Sequence, residues 1–315
     1  MSNRNLLKIY QASFRGNWNL PALSQYGRGP VLTYGDFAKR IAQTHIVFRE
    51  CGIQKGDKVA VMGKNTVSWI VSYMATLTYG AVVVPVLAEF NPEDATHIIN
   101  HSGSKILFVT DSIWDHMDFD AMPHVVAVFS LDDNVVLAEQ SSNKQRATKA
   151  LESMEERFRR RYPNGFRPAD IIYPELDKDS IAEINYTSGT TGFSKGVMLT
   201  LDNLGGNVCY GVDSKLHFPG SRCLAFLPLA HAYGAAFDML TPLAAGGHVA
   251  ALDKLPTPNL LIKALDQVKP NLILCVPLIL EKIYKKSILP LLERKTVRTL
   301  MGTPFIDRIV YARIR

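Results

Sequence analysis

The chain has 315 residues, of which 47% are hydrophobic and 20% charged, and its formal net charge is +6. This composition is typical of a soluble globular protein that folds by burying apolar side chains. Four scattered cysteines without a CxxC pair suggest neither a disulfide framework nor a zinc site, and the N-terminus lacks the apolar run of a signal peptide. The most apolar stretches, 70–88 and 223–252, are interrupted before reaching the roughly 20 apolar residues of a membrane-spanning helix. We therefore expect a cytoplasmic protein.

The first part of the chain predicts alternating helices and strands. Thr33 and Asp36 have the spacing of a capping box, and the helix that they begin is expected to end near Gly52. Further helices are predicted at 65–79 and from Asn91-Pro92 to Gly103. Continuous apolar runs predict buried strands at 58–62, 81–86, 106–109 and 125–129. This alternation is typical of an α/β protein with mostly parallel sheets flanked by helices.

A polar segment at 139–179 interrupts the alternation and predicts one charged helix followed by a proline-containing linker. We therefore predict two α/β lobes, 1–178 and 179–315. The basic run Arg157 to Arg161 lies beside two glutamates, and either a solvated helix face or a contact with a membrane surface or acidic partner explains it. Because the remaining positive charge is spread along the chain, no nucleic-acid partner is expected.

The second part of the chain resumes the alternation. A helix is predicted to begin near Asp202, and strands are predicted at 181–186, 197–199, 223–227, 249–252 and 272–276. Apolar residues from Phe305 to Ile314 have helical spacing but no C-terminal cap. This pattern favours a helix cut inside a larger protein, so we expect a truncated domain.

The segment between the strands at 181–186 and 197–199 combines hydroxyls, glycines and one ammonium group. It consists of Thr187, Ser188, Gly189, Thr190, Thr191, Gly192, Phe193, Ser194, Lys195 and Gly196. Glycines let backbone N–H groups point at a ligand, while the hydroxyls and the lysine add donors for phosphate oxygens. The spacing is neither a Walker P-loop nor a dinucleotide-binding turn. From the residues alone, a phosphate site and a flexible surface turn both remain open.

Residues 186–197, Tyr-Thr-Ser-Gly-Thr-Thr-Gly-Phe-Ser-Lys-Gly-Val, resemble the signature of the adenylate-forming superfamily, which includes acyl-CoA synthetases, luciferases and adenylation domains of nonribosomal peptide synthetases. The one clear departure is Ser194, where the family usually has proline. Residues 227–234, Leu-Pro-Leu-Ala-His-Ala-Tyr-Gly, resemble a second motif of the family. Val276-Pro277 with Glu281 to Tyr284 resembles long-chain fatty acyl-CoA synthetases. The similarity covers about residues 30–290.

The resemblance implies an ATP-dependent reaction in two halves. A carboxylic acid, by resemblance a long-chain fatty acid, is activated as acyl-AMP and then transferred to coenzyme A. By resemblance, ATP phosphates are held by Thr187, Ser188, Gly189, Thr190, Thr191, Gly192 and Lys195. Mg²⁺ would bridge the phosphates. The histidines other than His231 have no metal-ligand spacing, so no protein metal ligand is predicted.

His231 has two interpretations. A histidine in an apolar segment is commonly a core residue, whereas the family motif implies a position near the acyl pocket and the α-phosphate. Tyr233 and Gly234 would line that pocket by resemblance, although Tyr233 also suits the core.

Family segments that hold Mg²⁺ and ribose, and the C-terminal lobe with its mobile lysine, are absent from the 315 residues. Because catalytic groups act together, we expect this chain alone to adenylate poorly. The alternatives are an amino-acid-activating domain and a non-catalytic nucleotide-binding module.

Overall fold

The structure, a computed structural model, describes residues 5–187 and 195–293 and contains two β-sheets with helices packed against them. The strands are β1 Pro21–Gln25, β2 Arg28–Thr33, β3 Lys58–Met62, β4 Val82–Val86, β5 Ser104–Val109, β6 Ala127–Ser130, β7 Val136–Glu139, β8 Ile181–Thr187, β9 Lys195–Thr200, β10 Arg222–Ala225 and β11 His248–Ala251. The helices are α1 Leu6–Gly16, α2 Tyr34–Glu50, α3 Val67–Tyr79, α4 Pro92–Ser102, α5 Asp111–Trp114, α6 Arg146–Glu152, α7 Met154–Arg161, α8 Leu201–Asp213, α9 Ala232–Gly234, α10 Thr241–Ala245, α11 Pro258–Val268, α12 Pro277–Ile283 and α13 Leu289–Leu292. Two π-helical turns occupy Ala235–Leu240 and Tyr284–Ile288, and 3₁₀ turns occupy Ser141–Asn143 and Pro168–Asp170.

The larger sheet has seven strands in the order β7-β6-β5-β3-β4-β8-β9. Its five inner strands are parallel, and the two edge strands run antiparallel to their neighbours. The inner strands are apolar on both faces because helices cover both sides, as α3 and α4 do. The predicted α/β class with mostly parallel sheets is confirmed.

The smaller sheet joins distant parts of the chain in the order β10-β11-β1-β2. β1 lies parallel to β11, with Leu23 opposite Val249, and antiparallel to β2. The larger sheet likewise combines strands from both sides of residue 178, since β4 pairs with β8. A division of the chain between residues 178 and 179 therefore does not separate the two sheets, because each sheet contains strands from both sides of that point.

Local capping explains why the helices begin and end where they do. Thr33 and Asp36 form the predicted capping box of α2. Asn91 caps α4, and Gly103 ends it with a φ of 67°, a conformation that favours glycine. Gly80 ends α3 with a φ of 88°. Both predicted boundaries of α4 are therefore confirmed.

Two regions differ from the sequence-based expectations. The charged segment forms two helices, α6 and α7, because the backbone leaves the helical path at Ser153. The predicted strand at 272–276 is wrong. Its side chains stay partly exposed, Ile273 by 48%, and it pairs with no strand of the described chain. Asn271 bonds to Arg222 before this segment begins.

Two more expectations concern helices. The predicted helix at 305–314 lies outside the described residues. Among the residues that the structure does describe, no helix is long and apolar enough to span a bilayer.

Candidate functional site

The predicted phosphate segment lies at the end of the hairpin formed by β8 and β9. Thr187 ends β8 directly opposite Lys195, which begins β9, and both side chains are exposed. Because β8 is parallel to β4, this turn lies at the carboxyl end of the larger sheet, where open α/β sheets bind ligands. Ser188, Gly189, Thr190, Thr191 and Gly192 lie outside the described residues.

Tyr186 and Gly196 flank the turn on opposite strands of the hairpin and pack closely against each other. Tyr186 is buried, and its hydroxyl lies 2.7 Å from Nδ1 of His101 on α4. Gly196 lies opposite Tyr186 in the register. A Cβ atom on Gly196 would lie 3.1 Å from the Tyr186 ring and 3.0 Å from the Ile184 side chain. Glycine at position 196 therefore leaves room for the Tyr186 ring beside β9.

The second motif folds into a tight turn that leads into α9. His231 is the residue before α9; its N–H donates to the Pro228 carbonyl at 3.0 Å, and its imidazole is exposed. The interpretation of His231 as a core residue is therefore wrong. A Cβ on Gly234 would lie only 2.4 Å from the Pro228 oxygen, so this turn closes only with glycine. Tyr233 is 45% exposed and is likewise not a core residue.

Asn65, buried at the carboxyl end of β3, holds the backbone that leads to His231. Its Nδ2 donates to the carbonyls of Ala225 at 3.1 Å and Leu227 at 2.8 Å. Its Oδ1 accepts from the Leu229 N–H at 3.0 Å. A single side chain therefore satisfies three backbone groups of the 225–229 segment.

A buried polar network connects the hairpin strand to the same segment. Asn185, two residues before Thr187, donates to the Ala230 carbonyl at 3.3 Å and to Oε1 of Glu183 at 2.9 Å. Glu183 is only 1% exposed and also accepts from the Tyr73 hydroxyl. Burial raises the pKa of Glu183, while these two hydrogen bonds act in the opposite direction. The Asn185 side chain thus links the strand that ends at Thr187 to the residue before His231.

A buried aspartate lies beneath the His231 segment. Asp238 is 2% exposed, in the π-helical turn that follows α9. Burial raises its pKa to about 8, although the backbone N–H groups of Leu227 and Phe226 lower it in part. Its Oδ2 has no hydrogen-bond partner among the described residues. Asp238 is therefore largely a neutral acid at pH 7.

The sequence analysis did not single out Asn65, Glu183, Asn185 or Asp238. The sequence did contain a signal for two of them. Glu183 and Asn185 are polar residues two positions apart in an otherwise apolar predicted strand, so their side chains face the same side of the sheet. Within 5–187 and 195–293, no group of three or more His, Cys, Asp or Glu residues is placed to hold a metal ion.

Comparison with known proteins decides the family. A family model described as AMP-binding enzyme matches residues 11–305. The chain belongs to this family. The resemblance to adenylate-forming enzymes is therefore confirmed.

Individual members of the AMP-binding family show how far the similarity extends. The rat (Rattus norvegicus) long-chain-fatty-acid–CoA ligase ACSBG1 is 26% identical over 251 residues, which cover 76% of this chain and 33% of the relative. A feruloyl-CoA synthase from Amycolatopsis sp is 27% identical over 282 residues, 88% of this chain and 50% of the relative. The chain thus spans between a third and a half of these two relatives.

The fold is shared with solved structures of the family. ATP-bound MatB from Rhodopseudomonas palustris superposes with a TM-score of 0.70 at 23% identity, covering 90% of this chain and 52% of MatB. The similarity supports the fold across almost the whole chain.

Proposed function

We propose that this chain is the ATP-binding part of an acid–CoA ligase, in which the β8–β9 hairpin holds the polyphosphate of ATP. The observation that carries the proposal is the pairing of Thr187 with Lys195 at the carboxyl end of the larger sheet, with both side chains facing solvent. The signature between them, Ser188 to Gly192, supplies further hydroxyls and glycines. A hydroxyl and an ammonium group at this place suit phosphate oxygens.

The described residues fit a nucleotide better than a protein-bound metal. Lys195 offers a point charge, and Thr187 adds a short donor beside it. The part of the chain that the structure describes has no cluster of acidic or imidazole ligands for an ion. We therefore assign Mg²⁺ to the ATP phosphates rather than to a site made by these residues. When bound, ATP would supply the adenylyl group that becomes joined to the acid, with pyrophosphate as the leaving group.

We assign His231 to the acid and α-phosphate side of the site. The segment before His231 is bonded to Asn185, and Asn185 lies two residues before Thr187 in β8. This connection supports a short path between the phosphate-binding turn and His231. Exposure of the imidazole leaves it free to contact a bound acid, and the tight turn at Gly234 fixes its backbone.

For the acid itself, we propose a long-chain fatty acid, supported by the similarity to ACSBG1 and by the stretch from Val276 to Tyr284. The similarity to a feruloyl-CoA synthase makes an aromatic acid the competing substrate class. Coenzyme A is the proposed acceptor in either case. We also propose that the 315 residues alone turn over slowly, because this chain spans only part of its relatives.

ATP–pyrophosphate exchange by the whole protein that contains this chain tests the function. The assay is run with palmitate, ferulate and a mixture of amino acids, and then with coenzyme A to detect the thioester. We expect exchange with palmitate and formation of palmitoyl-CoA. Exchange with ferulate alone would replace the fatty acid by an aromatic acid. Exchange driven only by amino acids would reject the acid–CoA ligase.

The chain alone provides a second comparison in the same assay. We expect it to show little acid-dependent exchange while still binding ATP. Rapid exchange by the 315 residues would overturn the proposal that this part needs the remainder of the enzyme. Absence of exchange by the whole protein, with ATP binding retained, would favour a non-catalytic nucleotide-binding module.

A further inference from the structure

A cavity lies at the end of the larger sheet opposite the hairpin. It has a volume of about 300 Å³ and lies between α2 and the segment 161–173. His45 and Arg49 in the last turns of α2 line it, and α2 leads directly towards the start of β3. Nε2 of His45 lies 2.9 Å from the carbonyl of Ala75 in α3, which leads to the start of β4. The cavity is therefore at the amino end of the parallel strands, away from Thr187 and Lys195.

The basic run of α7 explains the charge at this cavity. Arg157 bonds to Glu50 at 2.7 Å, and Arg160 bonds to Glu156. Arg161 instead lines the cavity together with Arg49. Neither Arg49 nor Arg161 forms an ion pair with a carboxylate within residues 5–187 and 195–293. Arg161 donates from Nε to the Tyr162 hydroxyl at 3.3 Å, and its guanidinium lies 5.8 Å from the centroid of that ring.

The two guanidinium groups are close enough to affect each other. Burial and then the positive charge of Arg161 lower the pKa of Arg49. Burial first, and then the charges of Arg49 and Arg161, also lower the pKa of His45 to about 4, so its imidazole is neutral at pH 7. Asp170 is the acidic residue in the lining, and its carboxylate already accepts the Arg167 backbone N–H at 2.8 Å. An anion placed between the two arginines would relieve their repulsion.

Aromatic side chains form the wall next to this charge. The rings of Tyr162 and Phe166 meet edge to face with centroids 4.8 Å apart, and both line the cavity. Tyr173 lines it too, and its ring contacts the His45 imidazole. These ring contacts make a wall whose faces and edges suit a flat apolar group.

We propose that this cavity binds a phosphate monoester that carries an aromatic ring, with the phosphate between Arg49 and Arg161 and the ring against Tyr162, Phe166 and Tyr173. A phosphate monoester carries about 1.5 to 2 negative charges at neutral pH, which matches two guanidinium groups better than one carboxylate does. Guanidinium groups also bind phosphate with paired hydrogen bonds. The site is separate from the proposed ATP site and does not depend on that assignment.

Isothermal titration of the 315-residue chain with phenyl phosphate tests the proposal. We expect saturable binding that weakens at least about tenfold in Arg49→Ala and in Arg161→Ala, because each loses a charge-assisted contact. Arg160→Ala is the matched control. It removes the same charge from the neighbouring position of α7, but its side chain bonds to Glu156 outside the cavity, so affinity should stay unchanged.

Further titrations distinguish the phosphate from the ring. Inorganic phosphate and benzyl alcohol should each bind much more weakly than phenyl phosphate. Equal affinity for inorganic phosphate and phenyl phosphate would overturn the role of the aromatic wall. Unchanged affinity in the double variant of Arg49 and Arg161, or no saturable binding by the unmodified chain, would overturn the site itself. Thermal melts of each variant, together with Arg161→Lys, which keeps the charge, exclude loss of folding as the cause.

Discussion

The candidate site has two regions that differ in burial. Thr187, Lys195 and His231 are exposed, whereas Asn65 and Glu183, which connect the strands behind them, are buried. The exposed side chains are accessible to a ligand. The buried side chains are hydrogen-bonded, since a buried polar group without a partner costs about 1–3 kcal/mol. We therefore propose that the exposed residues bind the ligand and that the buried residues hold them in position.

Substitutions in the two regions should therefore have different signatures. A change behind the site should alter the free energy of unfolding, whereas a change at the exposed groups should lower ligand affinity and leave stability within about 0.5 kcal/mol. The experiments below test this division, beginning with the largest expected effect.

Asn65→Ala should destabilise the chain by roughly 2–4 kcal/mol, because the Leu227 carbonyl and the Leu229 N–H lose their partner, while the Ala225 carbonyl keeps only the Leu252 N–H. Urea unfolding followed by circular dichroism measures this change. Asn164→Ala, at an exposed position, is the control and should have almost no effect. A loss below about 1 kcal/mol for Asn65→Ala would mean that the 225–229 segment holds its shape without it.

Asp238 should make stability depend on pH. Its pKa is about 8 in the folded chain and near 4 when unfolded, so the folded state retains a proton that the unfolded state releases. The contribution of Asp238 to stability is therefore largest below pH 4, falls as the pH rises towards 8 and then levels off. Asp238→Asn removes this titration. The free energy of unfolding of the variant, relative to that of the unmodified chain, should therefore rise by roughly 2–4 kcal/mol between pH 4.5 and 7.5.

Urea unfolding at both pH values measures the effect of Asp238→Asn. Glu183 contributes a pH dependence of the same sign, since burial raises its pKa, but Glu183 is present in both proteins and cancels in the difference. An equal effect of Asp238→Asn at the two pH values would contradict a raised pKa.

Gly234→Ala should cost roughly 1–3 kcal/mol, because the added methyl group would lie 2.4 Å from the Pro228 oxygen and force the turn before α9 to open. Gly206→Ala is the matched control within α8, where an added Cβ meets nothing within 4 Å. The control should be neutral or stabilising, by up to about 1 kcal/mol. Thermal unfolding compares the two variants; the same effect in both would remove the steric argument.

Local signals predicted much of the fold. The ends of α2 and α4 depend on caps within a few residues of each helix, and both were identified from Thr33, Asp36, Asn91 and Gly103. Apart from the edge strand β7, which the sequence did not predict, the strands of the larger sheet were predicted from apolar runs. The strand predicted at 272–276 failed because apolar side chains alone do not supply a neighbouring strand.

Long-range pairing explains what the sequence did not reveal. Pairing of β1 with β11 joins residues more than 200 positions apart, so a boundary at 178 looked reasonable in chain order. Asn65 acts on backbone groups 160 to 164 residues away, and nothing in its local sequence indicates that role. Thr187, Lys195 and His231 were proposed as site residues because they belong to motifs that resemble those of the family, whereas Asn65, Glu183, Asn185 and Asp238 belong to no such motif.

Titration of ATP into the chain, with Mg²⁺ present, tests the central claim most directly. The unmodified chain should bind ATP, and Lys195→Ala should bind at least about tenfold more weakly with an unchanged melting temperature, because only an exposed phosphate contact is lost. Lys178→Ala, which removes another exposed lysine before β8, should bind like the unmodified chain. Equal ATP affinity in the unmodified chain and Lys195→Ala, or no binding by either, would contradict a polyphosphate site on the β8–β9 hairpin.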